Sequence, residues 1–143
     1  MRKYRKVIML LMLFFTAFVI FAQTLTDEED RNKDKKTDRW FYLKSDGGIT
    51  INSDNNFDGI VDHILETDRQ GNKLYEEMDY NYDGIMDNFY YYKNGALERQ
   101  EIDSNYDGNI DIWIYLEKGI YITKIERDKD HDGKIDFVKI YKK

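Results

Sequence analysis

The sequence predicts an all-β protein, an antiparallel meander of β-hairpin repeats of about 24–25 residues each, joined by acidic loops. Runs rich in Tyr, Ile and Phe, which favour strands, are separated by glycine-bearing turns. A unit of this length cannot bury a face alone, so neighbouring units must pair or stack. The repeat is marked by aspartates at spacings of 24 or 25 residues: Asp30, Asp54, Asp79, Asp103 and Asp128.

Length and composition limit the possible functions. The 143 residues suffice for one small domain. The absence of Cys excludes disulfides, thiol catalysis and zinc–thiolate sites, and two His are too few for the usual zinc site. Beyond residue 22 the chain has 18 cations against 28 acids, a net charge of −10. This charge argues against a nucleic acid partner, because phosphate binding needs a basic surface.

The N-terminal segment has the pattern of an export signal. Residues 1–6 hold four cations and no acid, and residues 7–22 form a 16-residue run without charge. This run is shorter than the roughly 20 apolar residues of a membrane-spanning helix. We therefore predict a signal peptide over 1–22, with an uncleaved anchor as the alternative. The mature protein would be secreted, periplasmic or at the cell surface, without a membrane span, and would not be a lipoprotein because it has no Cys.

The rest of the chain divides into a polar linker at 23–29 and a single repeat domain at 30–143. Each acidic loop is followed by an outgoing strand, such as Asn88–Tyr92, and then by a tight turn, such as Lys93-Asn94-Gly95. All acidic loops should lie along one edge of the meander and all tight turns along the other. Whether the sheet is open, curled or two-layered stays undetermined by the sequence. The predicted return strands are Ile49–Asn52, Leu74–Met78, Leu97–Ile102 and Tyr121–Ile125, and a last strand spans Phe137–Tyr141.

The acidic loops share the phrase Asp-x-Asn/Asp-x-Asp-Gly-x-x-Asp. Calcium is a hard cation that takes about six to eight oxygen ligands, and closely spaced acids in a tight loop can supply them. In an EF-hand loop, side chains at places one, three and five and the carbonyl at place seven bind the ion, while Gly at place six permits the turn. The candidate calcium ligands are Asp54, Asn56, Asp58, Ile60 and Asp62; Asp79, Asn81, Asp83, Ile85 and Asp87; Asp103, Asn105, Asp107, Asn109 and Asp111; and Asp128, Asp130, Asp132, Lys134 and Asp136.

Turn chemistry alone is the competing explanation, because Asp, Asn and Gly are favoured in turns. Turns need only one or two such residues, whereas the four full loops hold 13 acidic side chains that would repel one another. We therefore expect four calcium ions. The first copy, Asp30–Asp38, is doubtful as a site because Lys35 replaces Gly and neighbouring lysines repel a cation. It is alternatively a terminal cap.

The loop phrase resembles the short calcium loops of integrin propellers and thrombospondin type 3 repeats. It is most similar to the EF-hand-like repeats of secreted and surface bacterial proteins, with MORN-type hairpins as the nearest architectural relative. EF-hand helix pairs and dockerin-like modules do not fit, because a strand follows the loop. The EF-hand glutamate at place twelve is also replaced, by Leu65, Tyr90, Ile114 and Lys139.

Other side chains have two interpretations each. Glu77, Glu101 and Glu126, two residues before a loop, either reach the ion or pair with lysines across the sheet, and the second interpretation is favoured. His63 and His131 are expected at the surface. Six aromatic residues form either a platform for a sugar or peptide or, preferably, packing contacts within the sheet. They are Trp40, Tyr42, Phe89, Tyr91, Trp113 and Tyr115.

The resulting expectation is an extracytoplasmic calcium-binding repeat protein with a structural or adhesive role. One alternative is a module that binds a glycan or an envelope protein through its aromatic strand faces, and another is a metal-free envelope scaffold. We do not expect an enzyme, because the sequence offers neither a nucleophile–base pair nor a phosphate-binding loop.

Overall fold

The computed structural model describes residues 23–142, so the predicted signal peptide at 1–22 lies outside the described residues. The described part forms one antiparallel sheet in which every strand pairs with the next along the chain. The strands are β1 (Thr24–Glu29), β2 (Arg39–Leu43), β3 (Ile49–Ser53), β4 (His63–Thr67), β5 (Lys73–Met78), β6 (Asn88–Lys93), β7 (Ala96–Ile102), β8 (Ile112–Glu117), β9 (Tyr121–Arg127) and β10 (Phe137–Ile140).

The predicted all-β meander of hairpins is confirmed, and the question that the sequence left undetermined is answered. The sheet is open, with β1 and β10 as its two edges. Acidic loops join each odd strand to the next even strand along one edge, and tight turns join the strands along the other. Within residues 23–142 no helix is long and apolar enough to span a membrane.

The N-terminal edge differs from the sequence expectation. Residues 23–29 were expected to form a polar linker, but Thr24–Glu29 form β1 and pair with β2. All six residues of β1 are exposed. An edge strand is held by one ladder of backbone hydrogen bonds, so its side chains can be polar. The sequence of β1 therefore lacks the alternation of apolar and polar residues that would have predicted a strand.

The tight turns explain how successive strands reverse. Asn94 and Gly95 both have left-handed backbone angles, with φ of 52° and 74°, as a two-residue hairpin turn requires. Lys118 and Gly119 repeat this geometry with φ of 57° and 68°. In the turn between β4 and β5, the carboxylate of Asp68 instead accepts the backbone N–H groups of two later residues of the turn.

No hydrophobic side chain in residues 23–142 is fully buried, because the sheet has no second layer. Cross-strand rows of side chains take the place of a core. One row on the face that we call face A runs through paired positions of β5 to β9. It begins with the rings of Tyr75 and Tyr91, whose centroids are 5.3 Å apart, and the guanidinium of Arg99 lies 4.0 Å from the Tyr91 ring centroid. The row continues with the ring of Tyr115, which lies 3.9 Å from the Lys124 Nζ.

Candidate metal-binding loops

The five acidic loops share one backbone conformation. The fourth residue of every loop is left-handed although none is glycine, with φ between 59° at His131 and 66° at Lys33. The sixth residue is also left-handed, which explains the glycines of the four full copies. The first loop reaches the same shape with Lys35 at a φ of 75°, so the missing glycine strains this loop without changing its path.

The first aspartate of each loop holds the turn together from the inside. Asp54 is only 2% exposed. Its Oδ1 accepts the N–H of Phe57 at 2.6 Å and the N–H of Asp58 at 3.2 Å, and its Oδ2 accepts the N–H of Gly59 at 2.8 Å. The amides at places four and six bind the first aspartate in the same way in the third loop and in the fourth. This carboxylate is therefore a structural centre of the loop.

The ninth aspartate closes the loop from the other side. Asp62 is 3% exposed, and its Oδ2 accepts the N–H groups of Asn55 at 2.7 Å and Asn56 at 3.2 Å. Tyr80 and Asn81 donate in the same way to Asp87, the ninth residue of the next loop. The first and ninth acids thus organise the same short stretch of backbone.

The side chains at the third and fifth places lie at the exposed tip. In the second loop the Asn56 Nδ2 donates to the Asp58 Oδ2 at 2.9 Å, and the Asp58 Oδ1 accepts the N–H of Ile60 at 2.8 Å. The Ile60 side chain is half exposed. Each of these oxygens retains lone pairs beyond the hydrogen bonds that it accepts, so the loop still offers oxygen ligands to a cation.

These contacts correct one step of the sequence argument. Turn chemistry was expected to need only one or two polar residues, yet the loop uses the acids at places one, five and nine to accept backbone N–H groups. Buried backbone donors need such partners. The repetition of the acids therefore has a structural reason that is independent of any metal.

The fifth loop has the donor set best suited to a cation. Ligand oxygens from Asp128, Asp130 and Asp136 lie within 4.8 Å of one another, and this is the one such group among residues 23–142. The three other full loops have Asn at the third place, which offers an amide oxygen in place of a carboxylate. A cleft of about 200 Å³ lies between this loop and the fourth, lined by Asp107, Asp111 and Asp132 among others.

Electrostatics differ between the loops. Burial raises the pKa of Asp87 above its ordinary value, and the nearby carboxylates of Asp79 and Asp83 add to the rise, against the lowering effect of two backbone amides. Burial also acts to raise the pKa of Asp128, but hydrogen bonds from the amides of its loop outweigh it and hold the pKa below its usual value. In the third loop, burial is thus the main cause of the raised pKa, and repulsion between acids is a smaller cause.

Backbone hydrogen bonds link successive loops into a row. The N–H of Asp54 donates to the carbonyl of Asp38 at 2.8 Å, and the N–H of Asp128 donates to the carbonyl of Asp111 at 2.9 Å. The same bond joins the second loop to the third and the third to the fourth. The ninth residue of one loop thus lies beside the first residue of the next, so the buried carboxylates form a line along the edge.

His131 is exposed, as expected, and His63 is partly exposed, and each histidine lies beside a carboxylate. His63 Nε2 lies 2.9 Å from the Oε1 of Glu76, a residue that is 5% exposed. His131 Nδ1 lies 3.4 Å from the Oδ2 of Asp111 in the preceding loop. The sequence offers no signal for the first contact. The contact of His131 arises because the fourth residue of the fifth loop faces the fourth loop.

The glutamates before the loops bind neighbours on the sheet, but these are not the cross-strand lysines that the favoured interpretation named. Glu101 accepts a hydrogen bond from the hydroxyl of Tyr91 at 3.0 Å and pairs with Arg99 at 3.2 Å. Glu126 pairs with Lys124 at 3.1 Å. Glu77 accepts the hydroxyl of Tyr75 at 2.6 Å. These carboxylates bind neighbours on the sheet, which explains why a glutamate recurs before the loop.

Comparisons of this chain with protein-family models, with curated proteins and with solved structures find no match.

Proposed function

We propose that this protein is an extracytoplasmic calcium-binding repeat protein with a structural or adhesive role, in which calcium ions rigidify the loops between hairpins. The observation that carries the proposal is the convergence of oxygens from Asp128, Asp130 and Asp136 within 4.8 Å in the fifth loop. A cluster of carboxylate oxygens of this size suits a hard divalent cation.

The donor chemistry of the other full loops supports the same ion with fewer charges. Each has three carboxylates, an Asn at its third place and a left-handed Gly at its sixth place. In the third loop the pKa of Asp87 is raised mainly by burial and further by the carboxylates of Asp79 and Asp83, and a bound cation would offset both effects. The first loop, with Lys33, Lys35 and Lys36 around it, stays the weakest candidate.

A structural role fits the architecture of the sheet. Successive acidic loops are two strands apart, or about 9–10 Å along the edge. Ions in these loops would fix the angle between hairpins in a sheet that has no buried hydrophobic core in its described part. Binding to the folded form alone stabilises it by mass action. Export through the N-terminal segment would bring the protein to compartments where calcium sites of about 10⁻⁴–10⁻³ M are useful.

Calorimetric titration of residues 23–143, which contain the ten strands of the described part, tests the proposal. We expect calcium heats that correspond to four sites, and a melting temperature that falls in chelator and returns in millimolar calcium. Magnesium serves as the matched control ion, because it prefers a rigid octahedral site and should bind more weakly. Absence of calcium heat together with identical melts in chelator and calcium would contradict calcium binding and select the metal-free scaffold.

A glycan- or protein-binding role has one specific observation in its favour. The register of the strands places all six aromatic residues singled out from the sequence on face A, because paired and alternate positions share a face. Trp113 lies on β8, the last of the three strands that carry these residues. A glycan-array or pull-down signal lost in Trp113→Ala, with an unchanged calcium titration, would assign the binding role to this face.

A further inference from the structure

The two edge strands of the sheet carry charges of opposite sign. β1 contributes Asp27, Glu28 and Glu29, and all of its residues are exposed. β10 contributes Lys139, and Lys142 follows it. Edge strands present unpaired backbone groups that can add another strand. Opposite charge on the two edges favours contact between unlike edges.

In the repeat, one edge strand corresponds to a return strand and the other to an outgoing strand. β1 directly precedes an acidic loop and corresponds to the return strands β3, β5, β7 and β9. β10 directly follows an acidic loop and corresponds to the outgoing strands β2, β4, β6 and β8. Every outgoing strand inside the sheet pairs with a return strand. We propose that β10 of one copy pairs antiparallel with β1 of a second copy, so that the protein assembles head to tail and continues the sheet.

The register of the contact follows from the internal hairpins. The first residue of each outgoing strand is opposite the residue just before the next loop, as in Ile112 with Arg127. The same rule places Phe137 opposite Glu29 of the second copy, and Val138 opposite Glu28. It also places Lys139 opposite Asp27, an oppositely charged cross-strand pair.

Pairs like Val138 with Glu28 already occur in the interior of the sheet. Trp113 is opposite Glu126 and Phe89 is opposite Glu101, so an apolar residue faces a glutamate at this level of the sheet. Val138 and Glu28 would extend the row. Lys129, whose Nζ lies 4.2 Å from the centroid of the Phe137 ring, would bring a further cation near Glu29 of the second copy.

Backbone groups of β10 are available for the contact. The N–H of Tyr141 donates to the carbonyl of Thr123 on β9 at 2.9 Å. Because N–H groups alternate in direction along a strand, those of Val138 and Ile140 point to the open edge. Pairing of two β1 strands would align acids, and pairing of two β10 strands would bring lysines together, so charge disfavours both alternatives. A contact between unlike surfaces propagates unless the assembly closes into a ring.

Sedimentation of residues 23–143 over a range of concentrations tests the proposal. We expect mass to rise with concentration beyond a dimer at low ionic strength, and less so in high salt. Lys139→Glu alone and Asp27→Lys alone should each weaken association about tenfold, because reversal turns an attraction into a repulsion. An equal mixture of the two variants again offers an acid opposite a lysine at every contact between unlike chains, so it should associate as strongly as the original.

Lys93→Glu is the matched control, since its side chain is 70% exposed on an interior strand and the change in charge is the same. It should associate like the parent chain. Val138→Pro removes an outward N–H without touching the bonds to β9 and should also block association. A chain that stays monomeric at every concentration overturns the proposal. Association that is unchanged in Lys139→Glu alone and in Asp27→Lys alone also overturns it. Sedimentation in chelator and in calcium shows whether association depends on calcium binding by the loops.

Discussion

The guanidinium of Arg31 donates a hydrogen bond of 2.8 Å from Nη2 to the carbonyl oxygen of Asp54, which joins the first acidic loop to the second. The same Nη2 donates to the Asn55 Oδ1 at 3.0 Å. The Arg31 guanidinium also lies 5.4 Å from the centroid of the Phe57 ring. A protein cation thus takes part in holding adjacent loops, which suits a first loop that is a poor cation site.

Replacing Arg31 with Ala should therefore destabilise the N-terminal end of the sheet. We expect a loss of about 1–2 kcal/mol, because a hydrogen bond from a charged donor to the carbonyl of the buried Asp54 is removed. Urea unfolding monitored by circular dichroism measures this loss. Lys36→Ala, in the same loop and exposed, is the control and should change stability by less than about 0.5 kcal/mol.

Replacing a buried loop acid and replacing an exposed one should cost different amounts of stability in chelator. Asp54→Ala removes the acceptor of three backbone N–H groups and should cost about 2–3 kcal/mol even without calcium. Asp58→Ala, at the exposed tip of the same loop, should cost less than about 1 kcal/mol. Urea unfolding of both variants in chelator makes the comparison. Equal losses would show that the buried carboxylate does not organise the loop.

Replacing Asp130 should change calcium affinity without changing the stability of the fold. Asp130→Asn gives the fifth loop the third residue found in the other full loops. We expect its calcium affinity to fall several-fold, because one carboxylate leaves the group with Asp128 and Asp136. Stability in chelator should stay within about 0.5 kcal/mol, since the change is isosteric and exposed. Calcium titrations that do not differ between the two chains would remove Asp130 from the site.

The first loop should become more stable with a glycine at its sixth place. Lys35 holds a φ of 75° that glycine adopts without strain, so Lys35→Gly should stabilise the protein by about 1 kcal/mol. Thermal unfolding in chelator is the measurement. Lys36→Gly, one residue later, provides the comparison, and a gain there but not at Lys35 would contradict strain as the cause.

The buried Glu76 should give the protein an acid-dependent stability. Burial acts to raise the pKa of Glu76, but hydrogen bonds from Lys73, Tyr92 and His63 outweigh it, so the pKa in the folded protein lies below the ordinary 4.5. A depressed pKa means that the stabilisation is fully present above about pH 4.5 and is lost as the pH falls through the folded value. Glu76→Gln should flatten this part of the stability profile, as urea unfolding at stepped pH would show. A variant profile with an unchanged slope would mean that other carboxylates dominate it.

Much of this architecture was accessible from the sequence because its signals are local. The Asn94-Gly95 turn and the strand residues on either side of it are adjacent in the chain, so composition and spacing predicted the hairpin. The same holds for the 24- or 25-residue period and for the glycines at the sixth place of the loop. Calcium binding and export stay predictions that the experiments above address.

What the tertiary structure alone decided depends on contacts between distant residues. The exposed strand Thr24–Glu29 exists because β2 offers a backbone ladder, which side-chain patterning does not reveal. The inward carboxylate of Asp54 follows from a left-handed Phe57 that brings several N–H groups to one point. The sequence left the number of layers undetermined, and the pairing of the described strands in chain order, with β1 and β10 at the two edges, decides for an open single layer. The sequence by itself determined the repeating hairpin, because each hairpin is specified within one unit.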